Sequence, residues 1–279
     1  MMHLLQKLIS AINPKPQVFI AKGGFSSPWY SNMWDDKSYI TNIDESIPCQ
    51  ATVTCKGVTD MKSMFYSCSK LTFIDLSNFD TSKVTSMNLL FCGCSNLISL
   101  DVSNFDTSKV TNMGEMFYNC PHIATLDLSS FDTSNVENMQ DMFCRCYKLT
   151  KLELSNFNTS KVINMSSMFD YCDKLITLDV SNFDTSNVVN AYAMFNDCHS
   201  LTTLDLSSFD TFNVTNMNWM FNNCYNLTTI KGIIDMKSCK YCGNMFTGCP
   251  KLKDVKIMNP PDYFEAISGI SKSQFTVVS

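Results

Sequence analysis

The chain has 279 residues, is 45% apolar and 17% charged, and carries a formal net charge of −5. That length and apolar share support a sizeable folded core, while the acidic balance excludes the basic stripe that nucleic-acid binding demands. No run of about 18 apolar residues occurs, so neither a transmembrane helix nor membrane insertion is expected.

The chain starts MMHLLQKLISAINPKPQ. Leu4, Leu5, Leu8 and Ile12 share one face of a helix predicted over residues 2–12, which Pro14 and Pro16 end. The stretch lacks the apolar centre and cleavage site of a signal peptide. An aromatic-rich segment comes next, with Gly23, Gly24 and Pro28 among Phe25, Trp29, Tyr30, Trp34 and Tyr39. Residues 1–57 show no clear repeat and read either as a cap on the rest of the chain or as an attachment module. Because Trp and Tyr dominate interface hot spots, Trp29, Tyr30 and Trp34 are candidate contacts to a partner.

From Val58 a 26-residue unit takes over. Cys68, Cys94, Cys120, Cys146, Cys172, Cys198 and Cys224 fall at equal intervals, and Cys249 comes one residue early. A fixed period of this length means one supersecondary unit per repeat, stacked on its neighbours over a shared core. Positions are numbered here from the Val of each unit. In the unit 110–135, Met113, Met116, Phe117 and Cys120 have helical spacing and predict a helix of about two turns. Leu126 and Leu128 alternate with Thr125, Asp127 and Ser129 and predict a strand with one buried face. Phe131 closes the core, and Asp132, Thr133 and Ser134 lead on, with Thr and Ser as helix N-caps and Asp in an Asx turn. Parallel strands are therefore expected at 73–77, 99–103, 125–129, 151–155, 177–181 and 203–207, all in one sheet. The eight aligned cysteines are expected as buried free thiols, although the ~5 Å spacing of adjacent coils would permit bridging.

The pattern decays after Gly232. Leu252, Val255 and Ile257 still fit a strand, and NPPDYFEAISGI predicts a turn and a short capping helix with Pro261 near its start. The expected organisation is an N-terminal segment 1–57, a solenoid of about eight coils over 58–257 and a C-terminal cap 258–279.

Units such as LDVSNFDTSKVTNMGEMFYNC resemble the BspA-type leucine-rich-repeat surface proteins of bacteria. The resemblance spans residues 58–257 and implies an α/β leucine-rich-repeat solenoid of short parallel strands and short helices. It further implies a non-enzymatic protein that binds or adheres at a cell surface, with a protein or glycan partner. The missing export signal departs from that family. It favours a second reading, a structural subunit of a virion or other large assembly anchored through its termini, located on the virion or in the cytoplasm at synthesis.

Asp101, Asp127, Glu153, Asp179 and Asp205 share position 18 with Asp75 and must face outward between buried leucines. They form either a binding strip or a solvated polar face. The column Asp80, Asp106, Asp132, Asn158, Asp184 and Asp210 reads as structural, because Asn can replace Asp in an Asx turn. Cys239 and Cys242 form a C-x-x-C pair, but their columns place them in the core, far along the stack from Cys49 and Cys55, so no shared zinc site is expected. His122 and His199 lie in different coils, and no nucleophile–base pair or phosphate loop can be assembled. Neither catalytic residues nor a cofactor are expected.

Overall fold

The structure is a computed structural model that describes residues 58–279 in full and, before them, the backbone of 18–22 and 49–56. The helix expected over residues 2–12 and the aromatics Trp29, Tyr30 and Trp34 lie outside the described residues.

The chain winds into a parallel β-solenoid of seven full coils and an incomplete eighth. Strand β1 (Val18–Lys22) pairs with β2 (Cys49–Lys56), and β2 pairs with β3 (Leu71–Phe79). Further along, β4 (Thr125–Leu126) pairs with β5 (Lys151–Leu152), and β6 (Thr203–Asp205) pairs with β7 (Thr229–Lys231). At the far end β8 (Ile233–Asp235), β9 (Val255–Met258) and β10 (Phe275–Val278) form one sheet. Every pairing is parallel, as identical units stacked in one direction require.

Two expectations need correction. The single continuous sheet is replaced by short separate ones, with no strand at 99–103 or 177–181. At position 18 Asp127 Oδ1 accepts the N–H of Ser129 just past the end of β4 at Leu126, while the same bond from Ser77 to Asp75 lies within β3. A turn from Leu128 to the N–H of Phe131 completes the corner. The same bond recurs from Ser103, Ser181 and Ser207 to Asp101, Asp179 and Asp205.

The second correction is larger. No repeat contains a helix, so the α/β class does not hold for the coils. Over the Met-Phe segment, N–H groups at positions 7, 9 and 11 bond three residues back. Those at positions 4, 6, 8 and 10 donate to the next coil. In the first coil these are Met64 to Met61, Tyr66 to Ser63 and Cys68 to Phe65, with Met61 to Ser86, Ser63 to Asn88, Phe65 to Leu90 and Ser67 to Cys92 across the coils. Positions 6 and 10 adopt positive φ, as at Glu115 (57°) and Asn119 (55°), where a type II turn requires it. A helix would keep all these N–H groups to itself and measures about 10 Å across. The stacked rings of Phe65, Phe91, Phe117, Phe143, Phe169, Phe195, Phe221 and Phe246 are only 5.3–5.8 Å apart. A helix per coil cannot fit that pitch, whereas a flat run of turns can. Its buried positions mimic helical spacing because they also recur every three or four residues.

The core contains the columns read from the sequence, with Val110, Met113, Met116, Phe117, Cys120 and Leu128 all fully buried. Each aligned thiol after Cys68 donates to a Phe carbonyl of the preceding coil, at 2.9–3.3 Å. All eight aligned cysteines are buried free thiols. The Thr column at position 24 is also buried. Thr133 Oγ1 donates to the Asn158 carbonyl at 2.9 Å and accepts the Asn158 N–H at 2.7 Å, a cross-coil clip repeated along the stack. There is no helix for these residues to cap. Thr133→Val keeps the shape but strands both backbone groups, and it should cost about 1–3 kcal/mol in denaturant unfolding.

The C-terminal cap does contain a helix, α1 (Phe264–Ser268). Its Ile267 and Ser268 carbonyls take the N–H groups of Asn244 and Phe246 that the next coil would otherwise accept. Phe264 packs edge-on against Phe246 and Phe275. Gly232 separates β7 from β8 at φ 95°. A Cβ there would meet the Leu206 carbonyl oxygen at 2.6 Å, so only glycine lets this shortened coil change sheets. No helix among the described residues is long and apolar enough to cross a membrane.

Candidate functional site

The acidic strip lies where the sequence places it. Asp101, Asp127, Glu153, Asp179 and Asp205 are all exposed. The Ser103 hydroxyl and N–H hold the Asp101 carboxyl below the usual range, and Ser129, Ser181 and Ser207 do the same for Asp127, Asp179 and Asp205. Lys151 lies 3.2 Å from Glu153, and Lys231 lies 3.4 Å from Asp205. The column already serves the chain's own turns.

A different surface gathers chemistry that the sequence reading missed. Positions 9, 10 and 12 form the turn edge, and over coils three to seven they include Tyr118, Arg145, Tyr147, Asp170, Tyr171, Asp173, Asn196, Asp197, His199, Asn223 and Tyr225. Position 10 is left-handed at Arg145, Tyr171 and Asp197. This conformation is costly for side-chain-bearing residues. It is held because each N–H donates across to the next coil, to Asp170, Asn196 and Asn222. The Arg145 guanidinium lies over Tyr118 and Tyr171 at 5.8 and 5.9 Å. Tyr147 meets Tyr171 edge-on at 5.9 Å, and His199 stacks on Tyr225 at 4.9 Å.

Beneath these rings runs a chain of polar contacts. Cys144 Sγ donates to Asp170 Oδ2 at 3.7 Å. Asn196 Nδ2 donates to Asp170 Oδ1 and Asp197 Oδ2, both at 2.7 Å. Asn223 Nδ2 donates to Asp197 Oδ1 at 3.0 Å, and His199 Nε2 lies 3.1 Å from the same oxygen. His199 Nδ1 is 3.2 Å from Asp173 Oδ1, an ion-pair distance outside hydrogen-bond geometry. Burial pushes the Asp170 carboxyl up to about 6, partly offset by the Asn196 hydrogen bond. Burial also raises Glu115, Asp141 and Asp173. The aromatic and guanidinium faces suit a ligand that stacks on them. Among the described residues no group of three His, Cys, Asp or Glu side chains could hold a metal ion. The described histidines His122 and His199 hydrogen-bond to a backbone carbonyl and to a carboxylate.

One sequence signal for this edge existed. Position 10 reads Gly93, Asn119, Asp197, Asn223 and Gly248 in five coils, the residue types that tolerate positive φ. That column marks a turn, and a turn projects its neighbours outward.

A search of curated proteins finds no match. Among solved structures, a leucine-rich repeat protein from Bacteroides ovatus is similar at 17% identity, over 82% of this chain and 84% of its own, with a TM-score of 0.25. The family model described as "Mycoplasma protein of unknown function, DUF285" matches residues 59–152 and 147–258. Those matches span the whole coil stack, including every residue of the turn-edge cluster, and on that coverage the chain belongs to the DUF285 family.

Proposed function

We propose that the protein is a non-enzymatic binding scaffold for a protein or glycan partner, and that the partner docks on the turn edge of coils three to seven. The observation that carries this is the Tyr118–Arg145–Tyr171 stack over the Asp170–Asn196–Asp197 network. Tyrosine and arginine are the side chains on which interface energy concentrates, and here neighbouring coils hold them in place. The Asp strip is the weaker candidate because its carboxylate column lacks the tyrosine and arginine anchors of the turn edge. The resemblance to BspA-type surface repeats agrees with a binding role.

The test compares two variants of the intact chain on glycan arrays and in binding to a purified partner. Tyr118→Ala/Tyr147→Ala/Tyr171→Ala should lose about tenfold or more in affinity, the size expected of a lost hot spot. Reversing Asp101, Asp127 and Asp179 to Lys should leave binding within a few-fold. The opposite pattern would move the site to the strip and refute this assignment.

A further inference from the structure

Cys239 opens the incomplete eighth coil at position 1, where the seven earlier coils place Val58, Val84, Val110, Val136, Val162, Val188 and Val214, all 0–2% exposed. Cys239 is half-buried. It is last in its column, and beyond it the chain departs from the repeat into the cap, so no further coil covers it. Cys242, at position 4 of the same coil, is 1% exposed. The two thiols lie near enough to shift each other's ionisation, Cys239 downward and Cys242 upward. Cys239 Sγ also reaches the Tyr241 carbonyl at 3.4 Å. In two other thiol pairs one member perturbs the other's ionisation across coils, Cys68 raising Cys94 and Cys249 raising Cys224. All four of those thiols are at most 5% exposed, and those of Cys94, Cys224 and Cys249 are tied to Phe carbonyls. Among the described residues, only at 239–242 is one member of such a pair half-buried while the other is enclosed.

We propose that Cys239 and Cys242 form a redox-active dithiol, which a low-molecular-weight disulfide oxidises to an intramolecular disulfide. The Cys239 thiolate attacks one sulfur of the small disulfide RSSR, breaks its S–S bond and expels RS⁻, leaving a mixed disulfide on Cys239. Cys242 then gives up its proton and attacks the Cys239 sulfur. The protein disulfide forms, and the second RS⁻ leaves. In sum, one dithiol and one RSSR become one protein disulfide and two RSH, with two electrons passing from protein to small molecule. The neighbouring Cys242 holds the Cys239 thiol below the usual range and is itself raised, so the first attack falls to the half-buried sulfur and resolution to the enclosed one.

The intact chain is equilibrated in glutathione–glutathione disulfide buffers of graded ratio, quenched in acid, denatured, alkylated and mapped by peptide mass spectrometry. The expected result is joint loss of the 239 and 242 thiols as a disulfide, while the eight aligned cysteines still alkylate. In the native protein Cys239 should alkylate about tenfold or more faster than that column, since only it reacts without local unfolding. Cys242→Ser should accumulate a glutathione mixed disulfide on Cys239, and Cys239→Ser should take up none on Cys242. Circular dichroism checks that both variants fold, and the wild-type mapping stands without them. Full alkylation of Cys239 and Cys242 in the most oxidising buffer, or a lasting mixed disulfide on the wild type, would overturn the proposal.

Discussion

Replacing Phe143 by Ala should lower stability by about 3–5 kcal/mol, the range for truncating a fully buried aromatic. The ring is 0% exposed and lies between Phe117 at 5.8 Å and Phe169 at 5.7 Å. Both neighbours are close to parallel with it and belong to other coils. In a solenoid each coil contacts only the adjacent ones, so a cavity at the fourth coil weakens two interfaces at once. The backbone around it is pinned, with the Phe143 N–H bonded to Met168 and its carbonyl taking both the Cys146 N–H and the Cys172 thiol. The site therefore cannot collapse to fill the gap. Denaturant unfolding followed by circular dichroism should show the loss as a lower midpoint. Phe212→Ala serves as a control, because Phe212 is 48% exposed and should shift stability by no more than about 0.5 kcal/mol. Equal effects at the two positions would contradict the ring stack as the spine of the core.

Asp170→Asn should do the reverse and stabilise the chain, and only at neutral pH. The Asp170 carboxyl is raised to about 6, with burial the main cause. The folded protein therefore holds this proton more tightly than the unfolded chain does. Its contribution to stability is complete below the ordinary carboxylate range and is lost as pH rises through about 6. The shift amounts to roughly 1–3 kcal/mol once partial exposure is allowed for. Asp101, Asp106, Asp132, Asp179 and Asp184 have lowered values and act oppositely, losing stability on acidification. Comparing variant with wild type at each pH cancels them. An amide at 170 can still accept from Asn196 through its oxygen, so the gain should appear at pH 7 and vanish near pH 4. A gain of equal size at both values would mean that the network is limited by packing and not by charge.

The repeat period, the identity of nearly every buried column and the parallel direction of stacking were all legible in the sequence. Identical units can bury identical columns only in register. The Asx turns at Asp80, Asp106 and Asp132 were legible for a similar reason, since the substitution of Asn158 in that column already names the hydrogen bond. What the sequence could not decide was the backbone that carries Met113, Met116, Phe117 and Cys120. Helix and consecutive turns bury the same four positions, and the choice depends on where the N–H groups find acceptors. That is a property of the neighbouring coil, whose distance of about 5 Å admits turns and excludes helices. The turn-edge cluster was hidden for the same reason. Tyr118, Arg145, Asp170, Asn196 and His199 are far apart along the chain and look ordinary within their own units, and only the stacking of coils at that pitch brings them together. Composition and period thus determined what lies inside this protein, while the hydrogen bonds between coils decided which side chains meet on its surface.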